Sequence, residues 1–84
     1  MQNEKQQASP SVMAHRWIDL YYLLYSVRRV SSKKDYCNSV GLCPQNFGAI
    51  EHDRQSVSMA VLCNTINKYG VRPDWLFLGD GNPF

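Results

Sequence analysis

Apolar side chains recur along residues 11–30 at the three- and four-residue spacing of an amphipathic helix. Trp17, Tyr21 and Leu24 form the centre of this stripe, and Arg28 continues its register. The stripe is widened on both sides by Ile18, Leu20, Tyr25 and Val27. The opposite side carries Asp19, Tyr22 and Ser26. The spacing predicts one helix from Ser11 to Val30, whose aromatic residues belong to a core rather than to a nucleotide-stacking site.

A second apolar set follows in residues 33–40. Its members fall on one side of a helix: Tyr36, Cys37 and Val40. Ser32 is a suitable N-cap, because its hydroxyl can accept a hydrogen bond from a free N–H of the first turn. Gly41 can adopt the positive φ that ends a helix and turns the chain. We therefore predict a helix from Lys33 to Val40 with a sharp corner after it.

A third segment begins at Pro44, which the first turn of a helix tolerates because its missing N–H leaves no bond unmade. Phe47 and Ile50 mark its buried side. Small and amide side chains mark the outer side: Gln45, Asn46, Gly48 and Ala49. The predicted helix runs from about Pro44 to His52, although Cys43 stands where a Ser or Thr cap is expected. The two helices outline a helix-turn-helix, whose second helix can enter the major groove of DNA.

Two further helices complete an all-α domain. Ser58 can cap a fourth helix that ends at Gly70. The apolar positions of this helix are Met59, Leu62, Ile66 and Tyr69. Pro73 starts a fifth helix, which ends at Gly79. We assign residues 1–10 to a flexible polar tail, 11–79 to the domain and 80–84 to a C-terminal tail.

Charge is concentrated around the predicted corner. The 84 residues carry nine Lys and Arg against seven Asp and Glu, a formal net charge of +2. Residues 28–54 hold five of the basic residues and three of the acidic ones, so the whole surplus lies in this stretch. A surplus of this size gives modest support for a nucleic-acid partner.

A set of residues between Ser32 and Gly79 fits the pattern of one known family without gaps. Its members are Tyr36, Cys37, Val40, Gly41, Leu42, Gln45, Phe47, Ile50, Glu51, Leu62, Ile66, Tyr69, Gly70, Val71 and Pro73 to Leu76. In these residues the chain resembles the Cro/repressor (XRE) type of helix-turn-helix domain, in versions common in Bacteroides-type bacteria and their mobile elements. The resemblance implies a lambda-repressor-like fold of five helices, a homodimer on a palindromic operator in double-stranded DNA, and transcriptional control.

By position, the resemblance implies DNA base contacts from Pro44, Gln45, Asn46 and Ala49. Gln can form two hydrogen bonds with adenine and Ala can contact a thymine methyl, while small Gly48 lets the helix approach the DNA closely. The resemblance implies phosphate contacts from Lys33, Lys34, His52 and Arg54. Glu51 would form a partly buried ion pair with Arg28 or Arg29. The alternative interpretation of these groups is a face of surface amides and solvated charges.

Two positions depart from the family pattern. Asp53 stands where Gly is frequent; Asp also tolerates the left-handed conformation, but it brings a negative charge near the phosphates. Arg72 replaces the usual Ser cap before the fifth helix. In addition, Gly48 costs about 1 kcal/mol of helix stability relative to Ala. These features bear on DNA affinity more than on the fold.

Metal binding and catalysis have little support in the residue pattern. By count, Cys37, Cys43, Cys63 and His52 could bind zinc, but their spacing fits no known zinc knuckle. No acid is spaced to orient His15 or His52, and no nucleophile, acid and base converge. We therefore expect no metal, no cofactor and no enzymatic activity.

A protein–protein module, such as an antitoxin or a phage accessory factor, is the alternative function. Trp75, Phe77 and Phe84 would then supply its contact surface, or they would form the dimer contact. The three cysteines include no CxxC pair, and Cys37 and Cys63 fall at apolar-face positions, where reduced Cys acts as a small hydrophobe. Since neither a secretory signal nor a membrane-spanning run is visible, we expect a cytoplasmic protein.

Overall fold

The computed structural model describes residues 10–84 and consists of helices and connecting turns over that range. Its five helices are α1 (Pro10–Ser26), α2 (Lys33–Val40), α3 (Asn46–Glu51), α4 (Met59–Tyr69) and α5 (Pro73–Leu78). The predicted all-α class is therefore confirmed. The predicted tail lies outside the described residues, except that α1 already begins at Pro10. None of the helices in this range is both long and apolar enough to cross a membrane.

Each helix is followed by a residue with positive φ, and only three of these residues are glycines. The five residues, in chain order, are Arg28, Gly41, Asp53, Gly70 and Gly79. Arg28 has a φ of 64° and ends α1 earlier than predicted. Its N–H bonds to the Tyr25 carbonyl, and the Arg29 N–H bonds to the Leu24 carbonyl at 2.8 Å. These two hydrogen bonds, which reach three and five residues back, form a Schellman motif. The predicted extension of α1 to Val30 is therefore wrong.

The predicted caps of α2 and α4 are confirmed. The Ser32 hydroxyl accepts from the Asp35 N–H at 3.0 Å, and the Ser58 hydroxyl accepts from the Val61 N–H at 3.3 Å. The third helix is shorter than predicted, because Pro44 and Gln45 lie in a turn before it. In that turn the Phe47 N–H reaches only three residues back, to Pro44.

The core forms around Trp17, which is fully buried. Its indole N–H donates to the Thr65 hydroxyl at 3.0 Å, and its carbonyl accepts from the Tyr36 hydroxyl at 2.8 Å. Four predicted apolar-face positions are instead exposed: Tyr25, Val27, Met59 and Cys63. The first two lie where α1 is ending and its stripe leaves the core. Because the core surrounds one indole, α1 is the helix against which the others are arranged.

The helix α1 packs against α3 and α5, while α2 packs against α4. Arg16 fastens α5 to α1, because its guanidinium donates to the carbonyls of Leu76 at 2.8 Å and Phe77 at 2.7 Å. Burial lowers the pKa of this guanidinium. The contact satisfies carbonyls in the last turn of α5, where a cation is also favoured by the helix dipole.

Candidate nucleic-acid interface

The corner between α2 and α3 is held by local and tertiary hydrogen bonds. Gly41, with a φ of 84°, ends α2 in a second Schellman motif. The Leu42 N–H closes it by bonding to the Cys37 carbonyl at 2.9 Å. The Asn64 side chain of α4 donates to the Val40 carbonyl at 3.0 Å. The corner is therefore fixed both by its own sequence and by α4.

Two buried side chains anchor α3 from beneath. Phe47 is 2% exposed and Ile50 is fully buried. The Phe47 ring lies 5.3 Å from the Tyr21 ring, edge to face, and 5.8 Å from the Trp17 ring. Aromatic pairs at these separations add stabilisation beyond the area that they bury. The orientation of α3 is thus set by α1.

The opposite face of α3 is open to solvent. Gln45 is exposed, and Pro44, Asn46 and Ala49 are half-buried. Gly48 is also half-buried, and a Cβ placed on it would have no atom within 4 Å. The Cys43 thiol donates to the Gln45 carboxamide oxygen at 3.3 Å. The four residues expected to contact bases therefore lie on or beside an accessible helix face.

Lys33, expected to contact phosphate, takes part in a cluster that joins three helices. Its ammonium lies 3.7 Å from a Glu51 carboxylate oxygen and 5.0 Å from the centre of the Phe47 ring. Partial burial lowers the pKa of Lys33, but the Glu51 carboxylate and Tyr22 more than offset this effect and raise it. The side chain is still half exposed, at 49%. The Lys33 ammonium is therefore accessible to solvent while it pairs with Glu51.

Glu51 forms an ion pair as expected, but the expected partners are wrong. Its partner is Lys33 rather than Arg28 or Arg29, and its second oxygen accepts from the Tyr22 hydroxyl at 2.9 Å. The role of Tyr22 could not be predicted from local spacing, because this contact joins residues 29 positions apart on different helices. The Tyr22–Glu51–Lys33 cluster ties the end of α3 to α1 and α2.

The other three expected phosphate contacts are exposed. Lys34 lies in the first turn of α2, His52 ends α3, and Arg54 follows it. Between the last two, Asp53 adopts the left-handed conformation with a φ of 63°. Its carboxylate lies 2.9 Å from His15 Nε2 and accepts from a Ser11 hydroxyl on α1 at 3.3 Å.

The expectation that no acid orients His15 is therefore wrong, because the fold brings Asp53 to it. In a serine hydrolase the hydroxyl bonds to the imidazole, and the carboxylate bonds to the other ring nitrogen. The arrangement here is different, because the Ser11 hydroxyl and His15 Nε2 both contact the same Asp53 oxygen. These groups link the loop after α3 to α1.

The cysteines occupy different environments. Cys37 is buried between helices, and burial raises the pKa of its thiol to about 11. Cys43 and Cys63 are exposed. Within residues 10–84, no three His, Cys, Asp or Glu side chains come together as metal ligands.

The aromatic residues near the C-terminus are only partly exposed. Trp75 and Phe77 are half-buried against the core, and Phe84 is 47% exposed. The Phe84 ring lies 5.6 Å from the Arg29 guanidinium. The Arg72 N–H donates to the Pro83 carbonyl at 2.7 Å, so the last residues fold back onto the domain.

Comparisons with protein-family models, with curated proteins and with solved structures find no match to this chain. Any function assigned to it therefore rests on its own residues and their arrangement.

Proposed function

We propose that this protein is a sequence-specific regulator of transcription that binds double-stranded DNA by inserting α3 into the major groove. The α2–corner–α3 unit acts as a helix-turn-helix in a lambda-repressor-like fold. One observation carries the proposal: α3 is anchored by buried Phe47 and Ile50, while Gln45 just before it is exposed and the space beside Gly48 is open. A helix that reads bases needs such a rigid support and an uncovered outer face.

The side chains on this face suit base recognition. Gln45 can donate to adenine N7 and accept from its N6 amino group, and Ala49 can contact a thymine methyl. Gly48 presents backbone without a side chain, so it allows a close approach to the groove. Pro44 and Asn46 flank these positions and complete the base-contacting set.

Four side chains around α3 are assigned to the phosphates: Lys33, Lys34, His52 and Arg54. The contacts of Asp53 favour this assignment, because His15 and Ser11 of α1 hold its carboxylate. The Glu51 contact fixes the position of Lys33 but also offsets part of its charge. Phosphate contacts of this kind set register and affinity, whereas base contacts set specificity.

The functional unit is proposed to be a homodimer on a palindromic operator, because two copies related by a two-fold axis read two half-sites one helical turn apart. Catalysis, a metal and a cofactor have no part in this function. An operator selected from random DNA by the purified protein would test it directly. Enrichment of a palindrome would support the proposal, and the absence of enrichment would contradict it.

Direct readout can be tested with Gln45→Ala. We expect the change to reduce discrimination at one base position of the selected operator by about 1–3 kcal/mol, measured by fluorescence anisotropy on matched and mismatched duplexes. Asn67→Ala removes an exposed amide from α4 and is the matched control. An unchanged base preference in Gln45→Ala would remove α3 from the readout.

The phosphate assignment predicts a salt dependence. If Lys33, Lys34 and Arg54 contact phosphate in both subunits, about six contacts give a log–log slope of affinity against salt near −5. Lys34→Ala should make the slope less negative by about two, and Lys68→Ala on α4 should leave it unchanged. A flat salt dependence of the original protein would refute this assignment.

A further inference from the structure

An open groove of about 640 Å³ lies between the end of α1 and the start of α2. It lies in the connection between the two helices and uses none of the α3 residues assigned to DNA. Tyr25, Arg28, Arg29, Val30 and Ser31 line it, together with Asp35. Its volume falls in the range of ligand-binding clefts, and its open shape suits a segment of chain more than an enclosed small molecule.

Exposed apolar side chains lie near the end of α1, and one of them, Tyr25, lines the groove. Tyr25 and Val27 are 53% and 54% exposed, and Leu23 is 37% exposed. The Tyr25 ring is supported by the Tyr21 ring at 5.9 Å. An exposed aromatic ring beside charged groups is typical of protein-interaction sites, and Tyr is among the residues enriched there.

The charge of the groove is positive. Arg29 is held in place, because its guanidinium donates to the Tyr69 carbonyl at 3.3 Å and lies 5.5 Å from the Tyr69 ring. The one carboxylate in the lining, Asp35, accepts from both the N–H and the hydroxyl of Ser31. Asp35 thus contacts the start of α2, and the two arginines give the lining a surplus of one positive charge to attract an anionic group.

Arg28 strengthens this interpretation. It occupies the left-handed position after α1, where a residue other than Gly costs about 1 kcal/mol or more. Gly would end α1 at lower cost, and Arg places a cation in the groove instead. An unfavourable backbone position occupied by a charged residue points to a use for that charge.

We propose that this groove binds an acidic amphipathic segment of a partner protein. Carboxylates of the segment pair with Arg28 and Arg29, and its apolar side chains cover the exposed Tyr25 ring. Charge complementarity favours this occupant, and the exposed Tyr25 ring favours a peptide over a nucleic-acid backbone, whose phosphates would leave the ring uncovered. The site extends the protein beyond DNA binding and does not depend on it.

The probe is a fluorescein-labelled peptide of about twelve residues, with Glu and Leu in a helical repeat and one central Trp. Binding is followed by fluorescence anisotropy, and amide shifts in NMR spectra locate the site. We expect saturable binding with shifts at Tyr25 and Ser31. A peptide with Lys in place of Glu should bind at least about tenfold more weakly.

Arg28→Gly separates binding from folding. Gly suits the left-handed position, so this variant should be at least as stable as the original protein, yet it should bind the Glu–Leu peptide about tenfold more weakly. Arg28→Asn tests the same loss of charge with a second residue that tolerates this conformation. Lys68→Ala removes one exposed cation from α4 and should leave peptide binding unchanged.

Three results would overturn the proposal: no saturable binding of the Glu–Leu peptide, equal binding of the Lys analogue, or unchanged peptide affinity in Arg28→Gly. Binding of random duplex DNA is measured in parallel. If Arg28→Gly weakens DNA binding while the peptide fails to bind, the groove is a phosphate-contacting surface instead. A normal peptide result with no DNA binding would refute the DNA-binding proposal alone.

Discussion

Gly48→Ala is expected to make the protein more stable and a weaker DNA binder. Gly48 lies in the interior of α3, which has six residues, and the new methyl group would have no atom within 4 Å. Gly in a helix interior costs about 1 kcal/mol relative to Ala, chiefly because it loses more backbone entropy on folding. The free energy of unfolding should therefore rise by up to about 1 kcal/mol.

For a domain of this size, 1 kcal/mol corresponds to an increase in Tm of about 4–8 °C. Thermal and urea unfolding followed by circular dichroism would measure it, with the urea m-value unchanged. Gly41→Ala is the matched control, since the same chemical change at a φ of +84° should destabilise by about 1–2 kcal/mol. The two variants differ only in where the methyl group is placed.

The DNA arm of the experiment uses the operator selected by the original protein. If α3 enters the major groove, the added methyl group occupies the space through which its backbone approaches the bases. We expect weaker operator binding in a more stable protein. A lower or unchanged Tm would refute the reasoning about Gly48, and higher stability with unaltered operator affinity would show that Gly48 does not face DNA.

Three further predictions concern the fold. Arg16→Met should destabilise by about 2–3 kcal/mol, seen as a lower Tm and as faster hydrogen exchange in α5, because carbonyls of its last turn lose their charged donor; exchange unchanged in α5 would contradict this. Thr65→Val should cost about 1–3 kcal/mol in urea unfolding, because the buried Trp17 N–H is left unsatisfied; an equally stable variant would show that the bond contributes nothing. Iodoacetamide at neutral pH should modify the two exposed cysteines but not Cys37 until the chain unfolds, since burial raises the pKa of its thiol to about 11; mass spectrometry of the native protein would reveal any labelling there.

Burial of Cys37 also sets a direction for the pH dependence of stability. A thiol whose pKa is raised on folding contributes stability that is present below its unfolded value and is lost as the pH rises through the folded value. The free energy of unfolding should therefore fall between about pH 9 and about pH 11. Cys37→Ala should show a smaller fall over this interval than the original protein. An equal fall in Cys37→Ala would show that other titrating groups cause the loss of stability.

Local sequence signals predicted the helices well where the bonds that define them are also local. Lys33–Val40 is predicted to the residue, because Ser32 caps it and Gly41 ends it through bonds that span only a few positions. Gly70 and Gly79 end their helices for the same reason. Arg28 was missed as a helix end, because a non-glycine residue carries no visible signal for positive φ.

The buried side of α1 was predicted at its centre but not at its end. Trp17, Tyr21 and Leu24 are buried as their spacing indicated, whereas Tyr25 and Val27 are exposed. A periodic pattern shows which residues share a face, but it does not show how far the neighbouring helices extend along that face. For this reason the sequence did not predict the groove at the end of α1.

By itself, the sequence determined an all-α chain, the caps of α2 and α4, the apolar sides of α1 to α4 near their centres and an outward amide face at the start of α3. Only the tertiary structure decided that Glu51 pairs with Lys33, that Asp53 faces His15, and that Arg16 closes the end of α5. The physical reason is range: caps and helical faces depend on residues within a few positions. These side-chain contacts join residues 18 to 61 positions apart, which only the packing of the helices against one another brings together.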